Sequence, residues 1–258
     1  MRIALLILLS LGFCDTNYFH DLWDTQPKSI IRDYEAFRSS FFGIDDVHKY
    51  NSATYWKVPL WVSYQVKAYS GRPPNYPRPA IWTTDEVLYR LGIATTEKPY
   101  RNSGYDRGHM CMKEIASRIS AKADYETHSM INALAQIHQF NAGIWLDLEI
   151  HTMRWADTYG DVWVICGPVF SNRAPSKFIG NTSIGFIAVP DFCYKIVIKT
   201  NPSFDVLAFM YPNTSNYTRP FNHSNYSLSV LDIEKLTGLT FIHETAWYKE
   251  ETNFNIWK

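Results

Sequence analysis

Gly104-Tyr105-Asp106-Arg107-Gly108-His109-Met110 is the stretch that decides the reading of this chain, and Asn132, Gln136, Asn141, Gly143, Trp145, Leu148 and Glu149 follow it in order. The run supplies an imidazole, a guanidinium beside it, carboxamides and a carboxylate. Together these suit in-line attack of water on a phosphodiester held by one hard divalent ion. Asn102-Ser103-Gly104 makes a turn ahead of the motif, which is therefore expected on a short strand ending near His109. Apolar residues then recur at Ile137, Phe140, Ile144, Trp145, Leu148 and Trp155, a helical spacing that predicts a helix over about 138–158. On a continuous helix Asn141 and Glu149 would be separated by about 12 Å of rise and about 80° of rotation. They would share a side without both touching one ion. A cation held by the Asn141 carboxamide would keep most of its waters, as magnesium prefers, leaving Glu149 to hold one of them.

Outward from the motif the pattern is that of one large domain. Thr54, Trp56, Val58, Leu60, Val62, Tyr64 and Val66 alternate with more polar neighbours, as a half-buried strand requires, and Pro59 predicts an edge or a bulge there. Residues 70–80, rich in Pro and Gly, form a surface loop, and residues 113–128 hold a short helix or an irregular segment. Val162-Trp-Val-Ile-Cys166 ends at Gly167-Pro168 and reads as a central strand, as do 184–189 and 192–198, with another strand at 206–211. A last helix over 230–236 is closed by Gly238, with Leu239-Thr-Phe-Ile242 beyond it. Residues 15–50 lack a clean period and are read as an extension wrapping a single 15–258 domain. Repeats, heptads and interior linkers are absent from the sequence.

The 258 residues are 46% hydrophobic and 16% aromatic, enough to bury a sizeable core, and their formal net charge is zero. A tight, sequence-reading nucleic-acid binder is disfavoured by that balance, so any attraction for phosphate has to be local. Arg2, the apolar run Ile3–Leu11 and the small residues Gly12 and Cys14 read as a signal peptide, 1–14, cut before Asp15. A lipidated Cys14 is the weaker alternative, since Phe13 is bulky. No other segment approaches the length of a membrane helix, so a secreted, extracellular chain without a membrane span is expected. Five acceptor patterns, at Asn181, Asn213, Asn216, Asn222 and Asn225, support the same route, and four of them mark 213–227 as an exposed loop. In a host that does not glycosylate, the same segment is simply a polar loop. Cys111, Cys166 and Cys193 remain after cleavage and allow at most one internal disulfide, with Cys166 and Cys193 the favoured pair. Cys111 lacks a partner base and is not read as a nucleophile.

Asp106-Arg-Gly-His109, Asn132 with Gln136, Asn141 with Gly143 and Trp145, and Leu148-Glu149 resemble the DNA/RNA non-specific endonuclease family. The likeness extends upstream to Val58-Pro-Leu-Trp-Val-Ser-Tyr64 and Trp82-Thr-Thr-Asp85. Downstream it includes Val162–Phe170, Val189-Pro190, Tyr194-Lys195 and Glu234–Leu239, so it spans about 55–242. The resemblance implies a mixed α/β (α+β) fold, a central antiparallel-rich sheet flanked by helices, with a ββα-metal active site. It implies Mg2+ as cofactor, with Mn2+ as a substitute, and DNA and RNA as substrates. His109 would be the general base, Asn141 the direct metal ligand, and Glu149 a holder of the ion through water. Arg107 would offset charge on the phosphate, while Asp106 would hold the loop and Asn132 would support the site. Family members are often homodimers, though no stripe in this sequence specifies an interface.

Two departures fall on substrate grip. Ala80 and Ile81 precede Trp82 where the family places a phosphate-contacting arginine, leaving Arg78 displaced, and Met153 stands where some members carry an arginine, with Arg154 beside it. Arg107, Arg154 and Arg78 are thus the candidate substrate contacts.

The same residues have plainer readings. Asp-Arg can be a surface ion pair, Asn132 and Gln136 can satisfy buried backbone, and Trp145 and Trp155 suit a core better than base stacking. His128, His138 and His151 match no standard zinc spacing. A catalytically weak or inactive module on the same fold, binding nucleic acid or a protein, is the alternative to an enzyme. A histidine base near its ordinary pKa of about 6.5 would lose activity below about pH 6.

Overall fold

Every side chain of Val162-Trp163-Val164-Ile165-Cys166 is apolar, so a strand made from it has to be covered on both faces. The computed structural model, which describes residues 30–41, 56–171, 174–241, 250 and 257, puts that strand in the middle of a six-stranded sheet. Its members are β1 (Ile30–Asp33), β2 (Arg38–Phe41), β3 (Trp61–Val66), β6 (Val162–Val169), β9 (Phe192–Lys199) and β10 (Asp205–Pro212). Their spatial order is β1-β2-β3-β6-β9-β10, with every neighbouring pair antiparallel. Alternation sends Val62, Tyr64, Val164, Cys166, Val197 and Leu207 into one apolar cluster, and Trp61, Trp163, Ile165, Tyr194 and Ile196 into a second.

The second face is covered by a short helix at 230–237, whose Val230 and Ile233 pack onto it with Phe241. Ser229 caps that helix, accepting from the Asp232 amide at 3.1 Å, and Gly238 closes it at φ 74°, the left-handed conformation that favours glycine. The first face carries the functional elements. These are a separate ribbon of β4 (Tyr105–His109) with β5 (Ala133–Ile137), and the helical segment that follows it. A further ribbon pairs β7 (Phe178–Asn181) with β8 (Gly185–Ala188).

Short helices α1 (Glu86–Arg90), α2 (Lys113–Ala116) and α3 (Ala121–Glu126) connect these elements. Asp85 begins α1, accepting from the Leu88 amide at 3.0 Å, and its second oxygen takes Arg32 at 2.8 Å and the Tyr34 hydroxyl at 3.2 Å. One carboxylate therefore ties the β1–β2 hairpin to the Trp82–Asp85 segment.

Several sequence-based expectations need correction. Residues 15–50 contribute two strands of the main sheet, because β1 and β2 are too short to show alternation. β3 starts after Pro59 and lies inside the sheet, so Pro59 marks the strand's entry and not an edge. β6 continues through Gly167 and Pro168, and Pro168 stands opposite Cys193. β8 belongs to the small ribbon and not to the central sheet.

The long helix is interrupted. A three-residue turn, α4 (His138–Phe140), passes into a π-helical segment, Asn141–Trp145, before α5 (Leu146–Tyr159), and Gly143 leaves helical geometry at φ −106°, ψ −115°. The rise and rotation reckoned for an unbroken helix therefore do not hold between Asn141 and Glu149.

Cys111, Cys166 and Cys193 are free and buried. Cys166 faces Lys195 and Cys193 faces Pro168, so the two thiols are diagonal neighbours. Such neighbours lie about 7–8 Å apart, more than a disulfide spans.

Among the five sequon asparagines, Asn213 is committed to structure. Its Nδ2 donates to the carbonyls of Ala135 and Pro190 at 2.8 and 3.0 Å, and its Oδ1 accepts from the Ile137 amide at 2.9 Å. Asn181, Asn216, Asn222 and Asn225 are exposed. The predicted leader, 1–14, lies outside the described residues. No helix among those described is long and apolar enough to cross a membrane.

Candidate active site

A ribbon strand presents alternate side chains to opposite faces, and on β4 this puts Tyr105, Arg107 and His109 together while Gly108 turns inward. Glycine is required at that inward position. A Cβ there would fall 1.9 Å from Gln136 Oε1, because the buried Gln136 side chain lies diagonally across the ribbon, its Nε2 3.5 Å from Cys193 Sγ. The exit of β4 is fixed by Asn132, which is fully buried. Its Oδ1 accepts from the Cys111 amide at 2.8 Å, and its Nδ2 donates to the Cys111 and Thr127 carbonyls at 2.8 and 2.9 Å. Trp145 Nε1 donates to the His109 carbonyl at 3.2 Å. The backbone beneath the imidazole is thereby held from two directions.

His109 opens onto a cavity of about 540 Å³ lined also by Arg78, Trp82, Arg101, Tyr105, Asp106, Arg107, His128, His138 and Asn141. Its ring is packed 4.6 Å from Trp82 and 5.1 Å from His128. Nε2 is enclosed without a hydrogen-bond partner, which leaves Nδ1 as the nitrogen that can meet a water. Burial pushes the imidazole down to about 3, and the cationic forms of His128, Arg78, Arg107 and Lys113 push in the same direction. His109 is therefore neutral at physiological pH. That is the protonation state a general base needs.

Arg107 is positioned by Glu97, 2.5 Å from its Nη1, and lies 5.4 Å above the Trp82 ring. Glu97 also binds Arg101 at 2.8 Å, and this bond, more than the Arg107 charge, holds its carboxyl below the ordinary range. Arg101, Arg107 and the exposed Arg78 thus bring three guanidiniums to the cavity, with one carboxylate beneath two of them. The neutral chain consequently has a local cationic site for a phosphate.

Asp106 and Asn141 close the other side. Asn141 Nδ2 donates to Asp106 Oδ2 at 3.0 Å, and His138 Nδ1 lies 2.8 Å from the same oxygen. With the amide nitrogen engaged, Asn141 Oδ1 is left without a protein partner among the described residues. Carboxylate and carboxamide oxygens are the donors a hard cation prefers. Asp106, expected only to hold the loop, here orients the amide.

Three other candidates stand away from the cavity. Asn132 serves backbone, its plainer reading. Arg154 is exposed on α5 outside the lining. Glu149 is buried at 3.5 Å from Lys195, whose ammonium sits 4.1 Å from the Trp145 ring. Burial pushes Glu149 up to about 7 against the pull of Lys195. The expectation that Glu149 holds a water at the ion assumed an unbroken helix, and the lining does not include it.

Glu97 and Arg101 escaped the sequence reading, since nothing in their spacing couples them to His109, whereas Tyr105 lies in the motif itself. His128, which matches no standard zinc spacing, is a further member of the lining. It is buried at the cavity with an unpartnered Nε2.

Two antiparallel strands followed by a helical segment, with His109 and Asn141 facing one cavity, make this a ββα site. Residues 46–246 match the profile of the DNA/RNA non-specific endonucleases, and the chain belongs to that family. Mitochondrial nuclease EXOG of Danio rerio is 33% identical over 196 residues, 72% of this chain and 56% of that protein. Mitochondrial endonuclease G of Bos taurus is 27% identical over 71% of this chain and 62% of its own length. The chain spans about half the length of the curated relatives it matches. A solved EndoG/EndoGI complex shares the fold, with a TM-score of 0.72 at 21% identity over 95% of this chain and 98% of that one.

Proposed function

We propose that the chain is a secreted, metal-dependent endonuclease that hydrolyses DNA and RNA without regard to the sugar. The observation that carries this reading is a neutral imidazole facing, across one cavity, an amide whose oxygen is left free by its bond to Asp106. His109 accepts the proton of the attacking water at Nδ1. Arg107, held by Glu97, faces the non-bridging phosphate oxygens, and Arg78 and Arg101 add charge at the rim. Asn141 Oδ1 and Asp106 would hold Mg2+, which when bound supplies positive charge to the phosphate and the departing 3′ oxygen. Trp82 and His128 pack the base against reorientation.

A plasmid-nicking assay tests the proposal. Cleavage is expected with Mg2+ and none with EDTA, and Asn141→Ala should raise the Mg2+ requirement at least tenfold or abolish turnover. Retention of plasmid without nicking in Mg2+ would identify a binding module instead.

The pH profile follows from His109. The base works as the neutral imidazole, and a pKa pushed down to about 3 keeps it neutral well below pH 6. The acid limb of kcat/KM is accordingly expected below pH 5, lower than an ordinary histidine would give. Rates from pH 4 to 8, with tryptophan fluorescence monitoring the fold, decide the matter. A limb at 6 to 6.5 would show that the imidazole is solvated as a free histidine is.

A further inference from the structure

α5 carries two groups that the phosphodiester chemistry does not use. Asp147 and His151 are four residues apart, hence on one side of the helix, and the 3-10 turn His223–Tyr226 lays His223 against them. Asp147 Oδ2 is 3.0 Å from His223 Nε2 and 3.5 Å from His151 Nδ1. One ligand atom from each residue lies within 4.8 Å of those of the other two. None of the three lines the cavity.

The surroundings are those of a prepared ligand set. His223 is buried, and its second nitrogen, Nδ1, lies 2.9 Å from the buried Tyr211 hydroxyl, so its orientation is fixed from behind. Outer partners of this kind hold metal-ligating histidines in place. A hydrogen-bonded chain from Tyr211 through His223 to Asp147 accounts for two of the three groups. His151, whose Nδ1 reaches the same carboxylate oxygen at 3.5 Å, stands outside that chain. His151 Nδ1 also donates to the Asp147 carbonyl at 2.8 Å, and a cation bound at Nδ1 would take the place of that proton, the neutral ring carrying its proton on Nε2 instead.

We propose that Asp147, His151 and His223 form a second metal site, separate from the catalytic cavity, which takes Zn2+ and clamps residues 213–229 onto α5. Two imidazoles and one carboxylate with a position left for water are a zinc donor set. Magnesium, which prefers oxygen, is a poor match. The sequence concealed the site because His223 lies far from Asp147 and His151 along the chain, outside any standard zinc spacing.

The experiment uses the full chain carrying Asn141→Ala, stripped with EDTA and dialysed, and titrated with ZnCl2 by calorimetry and thermal unfolding. One Zn2+ per chain is expected, with a Kd in the micromolar range or tighter, a rise of several degrees in Tm and slower proteolysis within 213–229. Millimolar MgCl2 should produce none of these. CoCl2 should give the visible absorption of a four-coordinate site. His151→Ala, a change at a half-exposed side chain, should weaken zinc binding at least tenfold while leaving Mg2+-supported cleavage by the otherwise native chain unchanged. His223→Ala should do the same, with circular dichroism confirming that the loss of the Tyr211 contact has not unfolded it. Zinc uptake that His151→Ala leaves untouched, equal response to Mg2+, or no saturable uptake would overturn the assignment.

Discussion

Replacing His109 with alanine should reduce plasmid cleavage by about 10² to 10⁴, the usual range for loss of a positioned proton acceptor, without removing the ion. The imidazole touches neither Asn141 nor Asp106 through any hydrogen bond, so Mg2+ binding measured by calorimetry should persist. The fold should persist too. The backbone at His109 is held by Trp145 and by the Asn132 clamp at the adjoining residues, not by the imidazole. Loss of packing between Trp82 and His128 should cost about 1–2 kcal/mol, a typical point-mutation effect. Turnover within a factor of a few of the parent would remove His109 from the mechanism. Cleavage lost together with near-ultraviolet dichroism would reveal a folding defect instead.

Gly108→Ala should be more damaging than its single methyl suggests. The added carbon would meet Gln136 Oε1 at 1.9 Å and its Cγ at 2.7 Å, and Gln136 is fully buried. Either the side chain leaves its place beside Cys193 or the β4–β5 register opens. Overpacking of this kind costs about 1–3 kcal/mol or more. Because the same strand carries Arg107 and His109, activity should fall with stability. A double variant, Gly108→Ala with Gln136→Ala, should recover part of the loss in denaturant midpoint, since the steric conflict is removed from the other side. A single variant as stable as the parent would mean that Gln136 is free to move, contrary to its packing.

How much of this was legible in the sequence depends on the range of the interactions. The turn at Asn102–Gly104, the strand to His109, the loop over 70–80 and the stop at Gly238 are local events, and the residues carrying them are adjacent. The central position of β6 was visible because a wholly apolar run has no face to give to water. The β1 and β2 strands were not, since each has only four residues and gains its order by pairing with β3. Helical spacing survived the break at Gly143 because a π-helical segment shifts the phase of the apolar face without erasing it. Glu97 and His138 became part of the site only through tertiary approach to Arg107 and Asp106. Cys166 and Cys193 were placed in the right strands, but a two-residue diagonal cannot be read from either strand alone.

The pairing of β2 with β3 sets a boundary for processing of the chain. A cut within β1 or β2 would remove rungs of the six-stranded ladder. Loss of β1 and β2 would bare the hydrogen-bonding rim of β3, one face of which, Val62, Tyr64 and Val66, is apolar. An unpaired rim of that sort recruits other chains edge to edge. The hairpin thus shields the main sheet from self-association.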